Sequence, residues 1–262
     1  MDPIRSEELN IDDRRKKILE ILNSQSKVRV YNLSKQFMIS EVTIRNDLDE
    51  LEKQGLLERV HGGAVSTYRS YFSMNFLDRM DTNKEEKIRI AKETASMVSD
   101  GDTIILGSGT TPIYVAKELR DKKDLTILTN SIFAVQELSL NKDIIGIILL
   151  GGNINPKYQF TYGDDALSQL NKYKADKLIL SSDGISSEYG LTTYHHFEAE
   201  MNRQMISRVN KTIVVADYTK IGRSSFAHIE ELDKIDCLVS NKTADKDELD
   251  AIRENGVEVR LV

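Results

Sequence analysis

A single cysteine, Cys237, stands among 262 residues, which excludes an intramolecular disulfide and any cysteine-based zinc cluster. Three prolines and fourteen glycines exclude a collagen-like or low-complexity chain. No apolar run approaches the roughly 20 residues needed to span a bilayer; the longest covers residues 144–150. The first eight residues, Met1-Asp2-Pro3-Ile4-Arg5-Ser6-Glu7-Glu8, contain no apolar signal core. Together these shortages predict a soluble, cytoplasmic protein with no membrane partner. Apolar residues at 40% and charged residues at 30% can form a buried core and a wettable surface, divided into two modest domains or one large one.

Net positive charge is also lacking. The formal value of −6, taken whole, argues against a nucleic-acid partner. Its distribution is uneven: residues 1–70 hold 12 basic and 12 acidic side chains, and the remainder holds 24 and 30. Within residues 14–46, eight basic residues (Arg14, Arg15, Lys16, Lys17, Lys27, Arg29, Lys35, Arg45) stand against two acidic ones (Glu20, Glu41). This local excess suits a phosphate backbone, and it suits equally an ordinary solvated helix end.

Residues 14–22 place Ile18, Ile21 and Leu22 at helical spacing, with Asp12 or Asp13 available as a cap. Residues 31–37 form a second short helix with Leu33 and Phe37 inward. Residues 38–40 make a turn, and Ser40 caps a third helix that runs from Glu41 to about Gln54 and stops at Gly55. Residues 56–60 read as a strand, His61-Gly62-Gly63-Ala64 as a tight turn, and Val65 as the start of the return strand. Three helices followed by a hairpin predict a winged helix-turn-helix.

At 100° per residue, Ile44, Leu48 and Leu51 fall within about 60° of one another and form the buried stripe. Val42, Arg45, Asn46 and Asp49 fall on the far side, with Thr43 on a flank. Arginine pairs with guanine, asparagine with adenine, and valine or the threonine methyl touches a thymine methyl, so this flank has the chemistry of a major-groove reader. Ser40, Val42, Thr43, Arg45, Asn46 and Lys35 are the candidate DNA contacts, with Arg59 and His61 of the wing on phosphate or in the minor groove. Asp47 and Asp49 are expected to orient Arg45 or to face away. The alternatives are a generic three-helix interaction module and, for Arg59 and His61, plain solvated hairpin residues.

The run Arg14-Arg15, Ile18-Leu19, Leu33-Ser34, Phe37, Ile39-Ser40-Glu41-Val42-Thr43-Ile44-Arg45-Asn46-Asp47-Leu48, Leu51-Glu52, Gly55-Leu56-Leu57 and Arg59-Val60-His61-Gly62-Gly63-Ala64-Val65 resembles the DNA-binding domain of DeoR-family transcription regulators. The commoner family pattern has Arg-Arg-Asp where this chain has Arg45-Asn46-Asp47. That departure bears on the operator sequence, because Asn and Arg read different base edges. The reading helix also resembles the branch that controls amino-sugar or galactosamine use. The winged domain is assigned to residues 1–68 and an aromatic linker to 69–82, where Tyr71, Phe72 and Phe76, like Tyr68 just before it, call for partial burial.

From Lys84 the rhythm changes to alternating helices and short apolar runs. A helix over 84–98 aligns Ile88, Ala91, Ala95 and Val98. Strands are expected at 103–106, 125–128, 145–150, 177–180, 212–215, 237–239 and 257–261, and helices at 111–119, 133–140, 198–209 and 245–255. Continuous apolar strands separated by helices predict a parallel α/β sheet covered on both faces, over residues 83–262. Ligands of such sheets sit beyond the C-terminal strand ends. Those ends here carry Gly107, Ser108, Gly109, Thr110 and Thr111, then Thr129, Asn130 and Ser131, then Gly152, then Asp183 and Gly184, then Lys220. Glycines and hydroxyls at a helix N-terminus form an anion cradle, with Lys220 and Arg203 as its charge partners. Taken singly, each glycine-rich turn is equally explained by geometry alone.

These residues, with Asp100-Gly101-Asp102, Gly190-Leu191-Thr192-Thr193, Glu198-Ala199-Glu200-Met201-Asn202-Arg203 and Ala216-Asp217-Tyr218-Thr219-Lys220, also resemble the effector domain of the DeoR family, which is related to ribose-5-phosphate isomerase. The resemblance implies a phosphorylated sugar effector, double-stranded operator DNA as partner, a dimer or tetramer, and repression of a carbohydrate-utilisation operon with no cofactor. Many members have Lys-Arg where this chain has Asn202-Arg203, so one cation is missing there. The rival reading is a sugar-phosphate isomerase with an accessory domain. Against it, Asp183-Gly184 is followed by Ile185-Ser186-Ser187 where the isomerases carry acids, and their Lys-Gly-Gly-Gly loop is absent. His195 and His196 are adjacent and read as pocket-lining or surface residues. No metal is expected, since the chain has no His-x3-His pair and no cysteine cluster.

Overall fold

A computed structural model describes residues 10–25, 27–54, 56–66 and 76–262. The chain divides into two compact units, Met1–Thr82 and Asn83–Val262. Gly55, Tyr68, Tyr71 and Phe72, to which the sequence assigns a helix stop and linker packing, lie outside the described residues. Among the described residues no helix is long and apolar enough to cross a membrane.

The first unit contains α1 (Ile11–Gln25), β1 (Lys27–Arg29), α2 (Val30–Phe37), α3 (Glu41–Lys53), β2 (Leu57–Val60), β3 (Gly63–Ser66) and α4 (Phe76–Asp81). Ile18 and Leu22 of α1, Leu33 and Phe37 of α2, and Ile44, Leu48 and Leu51 of α3 close a single core. Met38 adopts the left-handed conformation (φ 53°) and turns the chain between α2 and α3. The expected hairpin is present as β2 and β3, and β1 adds a third strand that the sequence reading does not contain.

Gly63 decides that third strand. A Cβ at this position would lie 1.9 Å from the Val28 carbonyl oxygen, so only glycine lets β1 approach. The residue therefore opens β3, opposite Arg29 and Val60, and the turn itself consists of His61 and Gly62. Residues 76–81 form a short helix that buries Phe76, so the expected linker is helical in that part.

The second unit contains α5 (Lys84–Ser96), β4 (Thr103–Leu106), α6 (Thr110–Glu118), β5 (Thr126–Thr129), α7 (Ile132–Leu138), β6 (Gly146–Leu149), β7 (Asn153–Asn155), β8 (Phe160–Tyr162) and α8 (Asp164–Leu170). It continues with β9 (Ala175–Leu180), β10 (Gly184–Ser186), β11 (Gly190–Thr193), α9 (His196–Ile206), β12 (Val209–Val215), β13 (Ala227–Glu230), β14 (Cys237–Ser240), α10 (Lys246–Glu254) and β15 (Glu258–Leu261). Seven strands form one parallel sheet in the order β15-β14-β12-β9-β4-β5-β6. The chain lays down β4, β5 and β6 in one direction, then returns to the other side of β4 with β9 and grows outward again. Helices α5, α6 and α7 pack side by side, and α9 packs on α8, β9 and β12.

Three differences from the sequence reading have simple causes. Residues 145–150 look like a fully covered strand, yet β6 is the sheet edge, and Ile145 and Leu149 are 71% and 42% exposed. The hairpin β7–β8 and the antiparallel sheet β10-β11-β13 are built from short, mixed segments without an apolar run to announce them. Helix α9 ends at Ile206, because Val209 is already paired with Ala175 in the sheet.

Gly63→Ala is expected to destabilise the first unit by about 3 kcal/mol, since the added methyl meets backbone rather than a flexible side chain. Two-transition chemical denaturation of the full chain checks this: the first unit's midpoint falls and the second unit's stays fixed.

Candidate nucleic-acid interface and effector site

Helix α3 starts at a two-sided cap. The Ser40 hydroxyl accepts from the Thr43 amide at 3.1 Å and lies 2.8 Å from the Thr43 hydroxyl. This fixes the first turn and leaves Val42 62% exposed. Arg45 is exposed and paired with Glu41 at 2.6 Å, and Asn46 is exposed beside it. The pair is solvent-accessible and so weak that a stronger acceptor displaces it. Lys35 sits on α2 with its ammonium 4.5 Å from the Tyr31 ring centre, and Tyr31 is itself 55% exposed. Arg59 is anchored: its guanidinium donates to Asp49 at 2.9 Å and to the Gly63 carbonyl at 2.8 Å. His61 is exposed at the wing turn.

Asp47 does not orient Arg45. It is buried inside the unit, where Arg14 donates to both carboxylate oxygens (2.6 and 3.2 Å) and Arg15 to one (3.1 Å). Two of the eight basic residues counted above thus share one acid lying one residue beyond the counted window, which cancels one of their two charges. At 100° per residue Asp47 falls only about 60° from Ile44, which is the signal that could have placed it at the core margin. Tyr31 was missed because an exposed aromatic on a short helix resembles core in sequence.

In the second unit the reversal of sheet growth puts β4 beside β9. The Gly107 amide donates to the Ile179 carbonyl at 2.9 Å, and the Ser181 hydroxyl donates to the Ser108 carbonyl at 3.0 Å across the same junction. Gly109 (φ 122°) caps α6, and a Cβ there would lie 2.1 Å from the Ser181 hydroxyl. Ser108, Thr110 and Thr111 are buried in the same turn, and the first turn of α6 has no acidic residue. Unpartnered buried polar atoms are rare. Two of those among the described residues, Asn130 Oδ1 and Ser182 Oγ, lie at the ends of β5 and β9, on either side of this turn.

A second buried cluster is charged. Asp217 at the end of β12 is buried with Lys220 and with Lys87, which is 1% exposed on α5. Burial pushes the Asp217 carboxyl up, but the Lys220 and Lys87 ammonium groups and the Thr219 hydrogen bonds outweigh it and hold the pKa below 3.8. Lys87 was missed because the expected stripe ran through Ile88. The buried face is Lys87, Ile90, Ala91, Thr94 and Ala95, and a lysine at an apolar register was the available signal. Nearby, Thr193 donates toward Asp183 and Glu198 at 2.9 Å each, and Ser108 donates to Glu198 at 3.0 Å.

Other candidates are occupied locally. Arg203 donates to the Ile229 and His228 carbonyls and staples α9 to β13, so it is not placed with the buried lysines. Thr129 accepts from the Ser131 amide, and Ser131 caps α7. Gly152 and Gly184 admit close carbonyls, of Tyr162 and Arg223 respectively. Asn202, in place of the family's lysine, is 1% exposed with neither amide atom partnered among the described residues.

A winged reading domain followed by an α/β unit with polar, glycine-rich strand ends defines a ligand-responsive DNA-binding regulator. The profile of the DeoR C-terminal sensor domain matches residues 82–242, and that of the DeoR-like helix-turn-helix domain matches residues 14–69. The chain belongs to the DeoR family of transcription regulators; it is a regulator, not an enzyme. It is 38% identical to the HTH-type transcriptional regulator YulB of Bacillus subtilis, over 96% of this chain and 97% of that protein. It is 35% identical to a protein named as a transcriptional repressor of the aga operon in Escherichia coli O157:H7 (95% and 93%), and 34% identical to the HTH-type transcriptional repressor GlcR of B. subtilis (95% and 95%). Ribose 5-phosphate isomerase A from Methanocaldococcus jannaschii is matched over 53% of this chain and 54% of that one, at 18% identity and a TM-score of 0.39, a likeness too slight to argue from.

Because the Asp217 carboxyl is held low, it stabilises the second unit above its ordinary value of 3.8 and that contribution is lost as pH falls further. Asp217→Asn should therefore be destabilising at pH 7, with the gap to the wild type narrowing below about pH 4. Denaturation midpoints of both proteins from pH 7 to pH 3 check the sign; a constant gap contradicts it.

Proposed function

We propose that the chain represses a carbohydrate-utilisation operon in the cytoplasm, binding operator DNA as a dimer or tetramer and releasing it when a phosphorylated sugar occupies the strand-end crevice. Operator reading is assigned to Val42, Thr43, Arg45 and Asn46 on α3, with Ser40 fixing the first turn. Lys35, Arg59 and His61 provide backbone contacts. Support comes from an exposed Val42 and a loosely held Arg45 on a helix whose opposite face is core. Major-groove edges complement this mixture of aliphatic, guanidinium and amide groups.

The observation that carries the effector assignment is the buried pair Lys87 and Lys220 around one carboxylate, Asp217. Both ammonium groups act on the Asp217 carboxylate, and we assign to them the anionic end of the ligand. The amides of residues 108–111 and the hydroxyls of Thr110 and Thr111 supply hydrogen bonds for a phosphate's oxygens. Coupling follows by linkage: if the effector binds the DNA-free arrangement better, its binding and operator binding weaken each other by the same factor.

Two variants separate the halves. Arg45→Ala should lower operator affinity about 10- to 100-fold and remove the preference for operator over random DNA; an unchanged preference in gel-shift titrations refutes the reading-helix assignment. Lys220→Ala should leave operator affinity in place but raise the concentration of sugar phosphate needed for release about tenfold or more. Release at the wild-type concentration refutes the role of Lys220.

A further inference from the structure

The two edges of the seven-stranded sheet differ in chemistry. Strand β15 forms one edge and carries Glu258 and Arg260; Arg260 donates to Glu258 at 2.7 Å and to Glu93 at 3.0 Å. Charged side chains of this kind keep a strand edge from pairing with another chain. Strand β6 forms the other edge and, among the described residues, pairs with β5 alone. It lies in the run Ile144-Ile145-Gly146-Ile147-Ile148-Leu149-Leu150, which has no charged side chain and no proline. Ile148 packs against the core, whereas Ile145 and Leu149 fall on the other face of the strand and are exposed. In the segments that enter and leave the strand, Leu140 and Ile154 are 63% and 53% exposed.

Gly146 interrupts this run, and the chain's own geometry does not call for it. Its φ is not positive, and a Cβ there would meet nothing within 4 Å. The register with β5 runs from Gly146 to Leu149 without a shift, so no bulge calls for it either. Glycine weakens a strand, and apart from bulges and bends it marks the close approach of another backbone. A second copy of the same strand is the partner that fits. An edge strand offers donors and acceptors alike, and a two-fold axis normal to the sheet sets it antiparallel to its own image. With no charge in the run, the two copies do not repel each other. Because β15 is guarded by its charges, β6 does not add to the opposite edge of another molecule, and pairing closes at two sheets instead of growing into a fibre.

We infer that β6 is a self-association edge: two copies of the chain join through antiparallel β6 strands, Gly146 admits the opposing backbone, and Ile145 and Leu149 are covered in the pair. This rests on the oligomeric reading above and gives it a surface. The 4 residues of the strand are too few for a stable interface by themselves, and Leu140 and Ile154 supply apolar area before and after them.

Sedimentation equilibrium of the full chain over a wide range of concentrations tests this, with far-ultraviolet circular dichroism reporting the fold. The wild type should be assembled. Ile145→Lys and Gly146→Val should each halve the mass where the wild type is fully assembled, or raise the dissociation constant about tenfold or more. Both should stay folded, because Ile145 is 71% exposed and Gly146 has free space around it. Gly146→Val is the sharper variant: within one chain it favours the strand, so a loss of assembly reports a neighbour from outside. Ile147→Cys, at the centre of the run, gives a positive signal, since Cys237 is buried. A short thiol cross-linker should join two copies of that variant and leave the wild type unjoined; absence of any cross-link overturns the antiparallel pairing. An assembled wild type whose two other variants keep its mass and dissociation constant overturns the inference and leaves the oligomeric reading standing. Loss of fold in both assigns the edge to the chain's own packing and overturns it as well. A wild type that is monomeric at every concentration removes the oligomeric reading and this inference together.

Discussion

Strands β4 and β9 are hydrogen-bonded neighbours although they are separated in the chain by two βα turns, a hairpin and α8. Between them the sheet stops growing one way and starts growing the other, the kind of switch point at which open α/β sheets bind ligands beyond their strand ends. Gly107 lets the two strands come together, and Gly109 lets the first loop pass the Ser181 hydroxyl. Both contacts set the position of the turn over residues 107–111.

Charged groups are sorted within the second unit. Lys87 and Lys220 act on Asp217, and Asp183 shares the Thr193 hydroxyl with Glu198. The winged unit separates charges in a comparable way. Arg14 and Arg15 are held by buried Asp47 and stiffen the domain, leaving Arg45, Lys35 and the wing to meet solvent. Local counts of basic residues therefore overstate the charge that DNA would meet.

Much of this was legible from sequence because it follows from periodicity. The stripe of Ile44, Leu48 and Leu51, the Ser40 cap and most strands of the parallel sheet each leave a pattern within ten residues or so. What was not legible depends on distant partners. Asp47 looks like any acid on a reading helix until Arg14 and Arg15 arrive from α1. Arg203 looks like a phosphate ligand until β13 supplies two carbonyls. Strand β1 is three residues with one buried side chain, and it exists because Gly63 leaves room for it. Lys87 is the instructive case, since a lysine in a buried register is local information, visible once the helix is phased on Ile90 and Ala91 rather than on Ile88.

The central claim is that one chain joins a groove-reading helix to a crevice that senses a charged sugar. Fluorescence anisotropy of the full chain on DNA from its own promoter neighbourhood, at several salt concentrations and with or without a saturating sugar phosphate, tests it most directly. The account predicts tight, sequence-selective binding at low salt that weakens steeply with salt and weakens again when the sugar phosphate is added. Binding that does not distinguish this DNA from random sequence, or that is the same with every sugar phosphate at saturation, would contradict it.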